Sequence, residues 1–306
     1  MTDFCPLYTG AETGDAMDQI TVRALAKINL GLDVLGKRED GYHEVRMVMQ
    51  TVNLFDTLEI SRTSGAGVTM ETNRHFLPVD DNNLCVRAAK LMQEEFDLSG
   101  GLHIRLFKRI PVAAGMAGGS SDAAAVLFGL NRMYGLGLTR RELMRRGVSL
   151  GADVPYCVMR GTALAEGIGE KLRPLPAMVK CPVLVAKPPI SVSTKTVYER
   201  LDSLEQPPHP DMDGLLEALR ARDLNRIAGS MGNILESVTI PMHPVISQIK
   251  DVMVENGAIN AMMSGSGPSV FGLFADEATL KQAKRALRES GYAAQIYGTT
   301  IYNNRR

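Results

Sequence analysis

The sequence has few of the features that would tie it to an oxidising compartment or to a structural metal. It has only four cysteines, Cys5, Cys85, Cys157 and Cys181. They form no C-x-x-C pair, and no histidine cluster has zinc-binding spacing, which argues against a disulfide framework and a structural zinc site. We therefore expect a protein of the reducing cytoplasm.

Charge of one sign and long apolar runs are also missing. The 34 basic residues balance 34 acidic ones, so no global field would attract a nucleic acid or an anionic membrane. No apolar run approaches the roughly 20 residues that a membrane-spanning helix needs, and no basic segment followed by an apolar one opens the chain. We expect neither a nucleic-acid nor a membrane partner, and any phosphate must be bound by local groups.

The length of 306 residues is sufficient for two domains. Residues 1–19 are largely polar and are predicted to form a flexible tail, with Met17 as an alternative start. Three or four antiparallel strands are predicted from Ile20 to about Thr63, where apolar residues alternate. The proline density near residue 180 predicts a boundary between an N-terminal domain, residues 20–180, and a C-terminal domain, residues 181–306.

Helices are predicted at three places in the first half: after Asn83, from about Ser120, and from Thr139 to a Gly-Ala-Asp turn that ends at Asp153. The second half begins with a strand, "VLVAKPPI", and short helices between Ser193 and Ser230. It then reads helix, strand, strand, helix, strand, an order that predicts a small antiparallel sheet backed by helices.

The most informative segment is Pro111–Ser121, "PVAAGMAGGSS", where a predicted strand leads into a glycine loop that opens a helix. Gly115, Gly118 and Gly119 let the backbone approach a ligand, and the first N–H groups of the helix favour an anion. The segment is neither a Walker loop nor G-x-G-x-x-G. Phosphate is the expected ligand; the alternative is a loop that only lets the helix pack close to the sheet.

The two serines of this segment have more than one possible use. Either the Ser120 or the Ser121 hydroxyl could cap the helix, which would leave the other for a phosphate or for Mg²⁺. Asp122 would repel a nearby phosphate, so we expect its side chain to point away from the ligand.

Three segments together resemble the motifs of the GHMP kinases, the superfamily of galactokinase, homoserine kinase, mevalonate kinase and phosphomevalonate kinase. "PVAAGMAGGSSDAA" resembles the ATP-binding motif, and "AMMSGSGPSVFGLF" resembles the glycine-rich third motif. "LAKINLGLDVLGKREDGYHEV" resembles the first motif as it occurs in the branch that acts on a cytidine-diphosphate-linked methylerythritol. The chain departs slightly from the pattern: Ala113, Ala114 and Ala117 stand where many members have Gly, and Met116 where Leu is usual.

The resemblance implies a fold and an activity. The fold would be an α/β N-terminal domain like the second domain of ribosomal protein S5, followed by a ferredoxin-like α+β domain, with the active site in the cleft. Residues 20–180 would then form the ATP-binding domain and residues 181–306 the substrate-side domain. The activity would be transfer of the γ-phosphoryl group of ATP, brought with Mg²⁺, to the C2 hydroxyl of the cytidyl substrate in non-mevalonate isoprenoid biosynthesis. The alternatives are another branch, such as a mevalonate or homoserine kinase, and a non-catalytic binding protein on the same fold.

The resemblance also implies roles for individual residues. Asp153 would orient or deprotonate the attacking hydroxyl and Lys27 would stabilise the developing charge. The ATP-binding residues would be Pro111, Val112, Ala113, Ala114, Gly115, Met116, Ala117, Gly118, Gly119, Ser120, Ser121 and Asn83. The substrate-binding residues would be Asn29, Tyr42, His43, Thr194, Gly265, Ser266 and Gly267. No prosthetic group or resident metal is implied, Ser121 being a candidate ligand of the Mg²⁺ that comes with ATP, and the protein would be a monomer or a weak homodimer.

The residues themselves leave simpler explanations open. Lys27 lies in a strand where a buried cation would be costly without a partner or a function, yet it could be a surface lysine. Asp153 could be a turn residue, although its charge would oppose the dipole of a helix that ends there. Tyr42 and His43 could simply end a hairpin. Asn83 could cap the helix that follows it, and so could Ser193, Thr194 or Thr196.

Overall fold

The computed structural model describes residues 8–9 and 17–304, so most of the predicted tail lies outside the described residues. The strands are β1 (Tyr8–Thr9), β2 (Gln19–Lys37), β3 (His43–Thr63), β4 (Val68–Thr72), β5 (Gly101–Phe107), β6 (Thr162–Gly167), β7 (Lys171–Pro174), β8 (Pro182–Lys187), β9 (Gly232–Asn233), β10 (Asn260–Met263), β11 (Val270–Leu273) and β12 (Gln295–Thr300). The helices are α1 (Leu84–Glu95), α2 (Gly118–Met133), α3 (Arg140–Val148), α4 (Val154–Met159), α5 (Thr194–Leu201), α6 (Met212–Ala221), α7 (Leu224–Gly229), α8 (Glu236–Met242), α9 (Val245–Glu255) and α10 (Glu277–Ser290).

The chain forms two compact units, and each is discontinuous in sequence. The first unit is drawn from Met1–Ala26, Phe55–Ile110 and Ala117–Met159. The second is drawn from Lys27–Leu54, Pro111–Met116 and Arg160–Arg306. The strands β2 and β3 therefore contribute residues to both units. The boundary near residue 180 stays a prediction.

The first unit packs a helix directly on a sheet. The end of β3 pairs antiparallel with β5, β5 pairs parallel with β4, and β1 pairs antiparallel with the start of β2. A Cβ atom on Gly129 of α2 would lie 2.9 Å from Ile60 Cδ1 and 3.2 Å from Val22 Cγ2. A side chain at this position would have to displace these two methyl groups, because interiors are packed without spare volume.

The second unit contains the predicted small antiparallel sheet. Its strand order is β10-β11-β8-β12, and every pair of neighbours is antiparallel. The helices α9 and α10 pack against it and bury Ile249, Leu280 and Leu287. In the same unit β3 pairs with β6, β6 with β7, and β2 runs parallel to β9.

Two sequence predictions about secondary structure are wrong. The segment from Ile20 to Thr63 forms two long strands joined at Arg38–Tyr42, not three or four strands. The strand β2 continues through Gly31. The helix α6 packs against the strand at this residue, since a Cβ atom on Gly31 would lie 2.7 Å from Leu215 Cδ2. The Gly-Ala-Asp turn does not end a helix; α3 ends at Val148 and the turn leads into α4.

Among residues 8–9 and 17–304, no helix is both long enough and apolar enough to cross a membrane.

Candidate active site

The start of α2 is a helix end without a side-chain cap. The preceding residue, Ala117, has a left-handed conformation with φ of 53°. Within the described part of the chain, the N–H groups of Gly118, Gly119 and Ser120 have no acceptor. Unsatisfied N–H groups at the positive end of a 16-residue helix form a favourable position for an anion.

The two serines are used differently from the expectation. The Ser121 hydroxyl is buried and donates to the Leu25 carbonyl at 2.7 Å. Ser120 is partly exposed, and neither serine caps α2. The prediction that one of them caps the helix is therefore wrong.

Asp122 belongs to a buried ionic cluster. Its Oδ2 accepts a hydrogen bond from Lys108 Nζ at 2.7 Å, and Lys108 Nζ also donates to Asp56. The other oxygen of Asp56 accepts from the N–H groups of Arg109 and Ile110, the latter at 2.8 Å. The cluster thus fixes the two residues that precede Pro111 and the first turns of α2, so it holds the chain on both flanks of the glycine loop.

The three charged side chains of this cluster differ in their pKa shifts and in their hydrogen-bond partners. Burial raises the pKa of Asp122 well above its ordinary value; Lys108 opposes this rise and Asp56 adds to it. Burial alone would lower the pKa of Lys108, but the two acids, Asp122 first, raise it. Asp122 Oδ1 is buried without a partner among the described residues, whereas both oxygens of Asp56 accept hydrogen bonds. Lys108 therefore pairs with both acids, but Asp56 is the acid whose two oxygens are both satisfied by hydrogen bonds.

The glycines at the start of α2 differ in their surroundings. A Cβ on Gly118 would lie 3.1 Å from Lys108 Nζ and 3.2 Å from Ile110 Cγ2. A Cβ on the exposed Gly119 would meet only Leu84 Cδ1, at 3.8 Å. A side chain on Gly118 would therefore crowd Lys108 and Ile110, whereas Gly119 has open space on its outer side.

Asp153 lies immediately before α4, and its carbonyl accepts the Cys157 N–H at 3.0 Å. The expectation that its charge opposes a helix dipole is wrong, because an acid at the start of a helix is favourable. Its side chain is partly exposed, and among the described residues its carboxylate has no hydrogen-bond or ion-pair partner.

Lys27 is a buried cation on β2, with 5% of its surface exposed. Its Nζ donates to Asn29 Oδ1 at 2.7 Å, and its N–H donates to the Met116 carbonyl at 3.2 Å. Within residues 8–9 and 17–304, no carboxylate pairs with it. The surface-lysine alternative is therefore wrong.

The glycine-rich segment 264–267, here called the third-motif loop, lies against Gly115. The Ser264 hydroxyl donates to the Gly115 carbonyl at 2.9 Å. A Cβ on Gly265, whose φ is 59°, would lie 3.3 Å from Gly115 Cα and 3.7 Å from Asn29 Oδ1. The structure therefore brings Asn29, Gly115 and Gly265 together, with Lys27 bonded to Asn29.

Thr194 joins the same group of residues. Its hydroxyl lies 2.8 Å from the Ser266 hydroxyl. Its neighbour Ser193 caps α5, since the Ser193 hydroxyl accepts the Thr196 N–H at 3.3 Å. The alternative of capping thus holds for Ser193, while Thr194 is directed to the third-motif loop.

His43 is held by residues that the sequence analysis did not select. Its Nε2 lies 2.7 Å from Asp202 Oδ1, and its ring centroid lies 4.7 Å from that of Tyr198. Lys37 Nζ donates to the other oxygen of Asp202 at 3.0 Å. The spacing of Tyr198 and Asp202, four residues apart at α5, is the signal that places both on one face. Tyr42 is 60% exposed and, among the described residues, its ring contacts neither His43 nor Tyr198.

Asn83 is a helix cap. Its Oδ1 accepts the Cys85 N–H at 2.9 Å and its Nδ2 donates to the Pro78 carbonyl at 2.8 Å. The remaining loop residues are mixed in burial: Pro111, Ala114 and Met116 are buried, whereas Ala113 is exposed and has a φ of 49°.

Metal ions in proteins are held by groups of His, Cys, Asp and Glu side chains. Across the described ranges, 8–9 and 17–304, no three His, Cys, Asp or Glu side chains are placed to hold a metal ion.

Comparison with known proteins identifies the motifs. The model of the GHMP kinases N terminal domain matches residues 83–161, and that of the GHMP kinases C terminal region matches residues 215–293. The chain is 57% identical over 286 residues to a 4-diphosphocytidyl-2-C-methyl-D-erythritol kinase of Lachnospira eligens, which covers 94% of this chain and 99% of the relative.

Solved structures agree with this match. A crystal structure of 4-(cytidine 5'-diphospho)-2C-methyl-D-erythritol kinase superposes with a TM-score of 0.79 at 33% identity, over 93% of this chain and 100% of that one. A homoserine kinase from Cytophaga hutchinsonii has a TM-score of 0.76 at 20% identity, over 97% of this chain and 98% of the other; this second likeness shows the fold alone. The resemblance of the three motifs is thus confirmed over nearly the whole length, and the chain belongs to the GHMP kinases, in the 4-diphosphocytidyl-2-C-methyl-D-erythritol kinase family.

Proposed function

We propose that this chain catalyses the ATP-dependent phosphorylation of the C2 hydroxyl of 4-diphosphocytidyl-2-C-methyl-D-erythritol in non-mevalonate isoprenoid precursor biosynthesis. The C2 oxygen bonds to the γ-phosphorus of ATP, the bond from that phosphorus to the bridging β,γ-oxygen breaks, and ADP leaves. The relatives that carry this enzyme's name align with nearly the entire chain, which supports the substrate assignment.

The observation that carries the proposal is the buried ammonium group of Lys27, whose side-chain partner is the neutral amide of Asn29. A cation taken out of water is costly unless an anion offsets the lost hydration. A transferring phosphoryl group is such an anion, and positive charge fixed in advance stabilises its transition state. We assign this role to Lys27.

The start of α2 supports the ATP site. Its three unpaired N–H groups can receive phosphate oxygens, so we assign the ATP phosphates to the Pro111–Ser121 loop. Mg²⁺ bound with ATP would neutralise phosphate charge. Ser121 is the candidate protein ligand of this Mg²⁺. The Ser121 hydroxyl donates its proton to the Leu25 carbonyl, so the lone pairs of the hydroxyl oxygen remain to face a cation.

Asp153 is assigned to the attacking hydroxyl. Its partly exposed carboxylate has no competing partner within the described residues, and such a group can orient the C2 hydroxyl and accept its proton. Asn29, Thr194 and the third-motif loop are assigned to the remainder of the methylerythritol diphosphate.

The cytosine is assigned to Tyr42 and His43, with Tyr198 as an added aromatic surface. In the tautomer that donates its Nε2 proton to Asp202, His43 presents Nδ1 as an acceptor. An acceptor suits the exocyclic amino group of cytosine and rejects the uracil oxygen at that position. A cytoplasmic location and a monomer or weak homodimer complete the proposal.

The test is ADP release by the purified protein with four acceptors: the cytidyl compound, free methylerythritol 4-phosphate, mevalonate and homoserine. We expect release with the cytidyl compound alone. Turnover of mevalonate or homoserine would move the protein to another branch of the superfamily. ATP binding without ADP release from any acceptor would indicate a non-catalytic binding protein.

A further inference from the structure

Asn233 is a buried residue of β9 that the motifs do not include. Its Nδ2 donates to the carbonyls of Met263, at 2.9 Å, and Gly265, at 2.8 Å. Its Oδ1 accepts the Leu235 N–H at 3.0 Å. Both amide protons and the amide oxygen are thus in use, which makes this side chain a fixed cross-link between β9 and the third-motif loop.

The hydrogen bond to Gly265 fixes the direction of a peptide plane. In a trans peptide, the carbonyl of one residue and the N–H of the next point in opposite directions. By holding the Gly265 carbonyl, Asn233 turns the Ser266 N–H to the other side of the loop. Within the described part of the chain, neither this N–H nor that of Gly265 has an acceptor. Successive free N–H groups at a left-handed residue form a concavity suited to an anion.

The third-motif loop also packs tightly against the backbone of Gly115. A Cβ atom on Gly115 would lie only 1.9 Å from the Ser264 carbonyl oxygen. The Ser264 hydroxyl also donates a hydrogen bond to the Gly115 carbonyl. A shift of the third-motif loop therefore has to displace the Gly115 backbone as well.

We propose that Asn233 is a positioning residue for phosphoryl transfer, which aims the Gly265 and Ser266 N–H groups at the anionic part of the substrates and fixes the third-motif loop against Gly115. This inference rests on the proposed function.

Glu236 holds β10, the strand that precedes the loop, since it accepts the Met263 N–H at 2.8 Å and pairs with Lys250. Of these two side chains, Asn233 is the one that reaches the loop itself.

The test is Asn233→Asp. The substitution keeps the shape and the acceptor for Leu235, but it replaces both donated hydrogen bonds with an oxygen that faces two carbonyls. We expect kcat with the cytidyl compound to fall about 10- to 100-fold, the size of effect that follows misplacement of reacting groups, with a smaller change in the KM for ATP.

The matched control is Asn260→Asp on β10. Asn260 has the same kind of contacts, donating to the Ala228 carbonyl at 2.6 Å and accepting the Ala261 N–H at 2.8 Å, but it does not bond to the loop. Both variants should lose thermal stability, whereas kcat should fall only for Asn233→Asp.

Three results would decide the matter against the proposal: unchanged kcat in Asn233→Asp, an equal loss of kcat in Asn260→Asp, or unchanged kcat in Ser264→Ala. Ser264→Ala keeps Asn233 and removes the hydrogen bond from the loop to the Gly115 carbonyl. It is the variant to use if Asn233→Asp does not fold. A wild-type protein that is inactive on the cytidyl compound but active on another acceptor refutes the proposed substrate, and the same comparison of variants is then made with that acceptor.

Discussion

A Cβ atom on Gly115 would lie 1.9 Å from the carbonyl oxygen of Ser264. Gly115 also has a φ of 70°, a conformation that other residues adopt at a cost. Steric space and backbone conformation thus both require glycine here, at the contact of two glycine-rich motifs that are far apart in sequence.

Gly115→Ala should therefore lower kcat/KM by about 100-fold or more, because the added methyl group has to push the two loops apart. The measurement is steady-state ADP release, with the melting temperature recorded in parallel. Gly229→Ala is the control, since a Cβ there meets no atom within 4 Å. Equal kinetics for Gly115→Ala and the control would contradict the contact.

Substitutions at Gly118 and Gly119 should have different effects, the first on the melting temperature and the second on ATP affinity. We expect Gly118→Val to lower the melting temperature, because the side chain would press on Lys108 and Ile110. Gly119→Val should leave the melting temperature nearly unchanged and weaken ATP binding, because its side chain would stand beside the free N–H groups. Isothermal titration with ATP measures the second effect, and unaltered affinity in Gly119→Val would argue against a phosphate at this helix start.

Asp122 should make the free energy of unfolding depend on pH. A carboxyl whose pKa is raised by folding binds its proton more tightly in the folded state, so stability is greatest below the ordinary pKa of an aspartate and falls as pH rises toward the raised value.

Asp122→Asn should remove this slope and keep the fold, because the neutral amide can accept the Lys108 hydrogen bond. Asp56→Asn should be strongly destabilising, by about 3–5 kcal/mol, since it removes the acid that pairs with the buried Lys108 and also accepts two backbone N–H groups. Urea unfolding between pH 4 and pH 8 measures both. If Asp122→Asn is the more damaging of the two, Asp122 and not Asp56 is the acid on which the buried Lys108 depends.

Asp153→Asn should reduce turnover by about 10²- to 10⁴-fold, the usual contribution of a positioned base. ATP affinity and the melting temperature should change little, because the carboxylate has no partner among the described residues to lose. The control is Asp251→Asn, an exposed acid of α9. A variant that keeps more than a tenth of the wild-type rate would remove Asp153 from the mechanism.

His43→Ala should lower kcat/KM for the cytidyl compound about 10- to 100-fold, because the polar edge of cytosine loses its partner. The affinity for ATP should be unchanged. Asp202→Asn provides a second measurement, since it alters the partner of Nε2 while the His43 ring stays in place. A His43→Ala enzyme as efficient as the wild type would exclude this residue from cytosine recognition.

The elements that the sequence predicts well are those set by neighbours along the chain. The alternation that begins at Ile20, the helix after Asn83 and the glycine loop before α2 are visible because their signals lie within a few residues. The short helix α4 was not predicted, because six residues are too few to show a helical period.

The long-range connections within the site could not be predicted in this way. Lys108 meets Asp56 across 52 positions, and Asn233 reaches Gly265 across 32. Such pairs depend on how strands are ordered in a sheet and on which loops meet, and no local pattern encodes either. The sequence therefore predicts which motifs bind the substrates, but it does not predict which side chains hold those motifs in position.

Two buried thiols make the stability of each unit separately measurable. Cys85 lies in the first unit and Cys181 in the second. Burial raises the pKa of the Cys85 thiol well above its ordinary value and that of Cys181 to about 12. Because the thiolate is the species that alkylating reagents attack, each cysteine becomes reactive when its surroundings open. Alkylation rates read peptide by peptide would therefore report which unit opens first, and whether ATP slows the opening of one unit or of both.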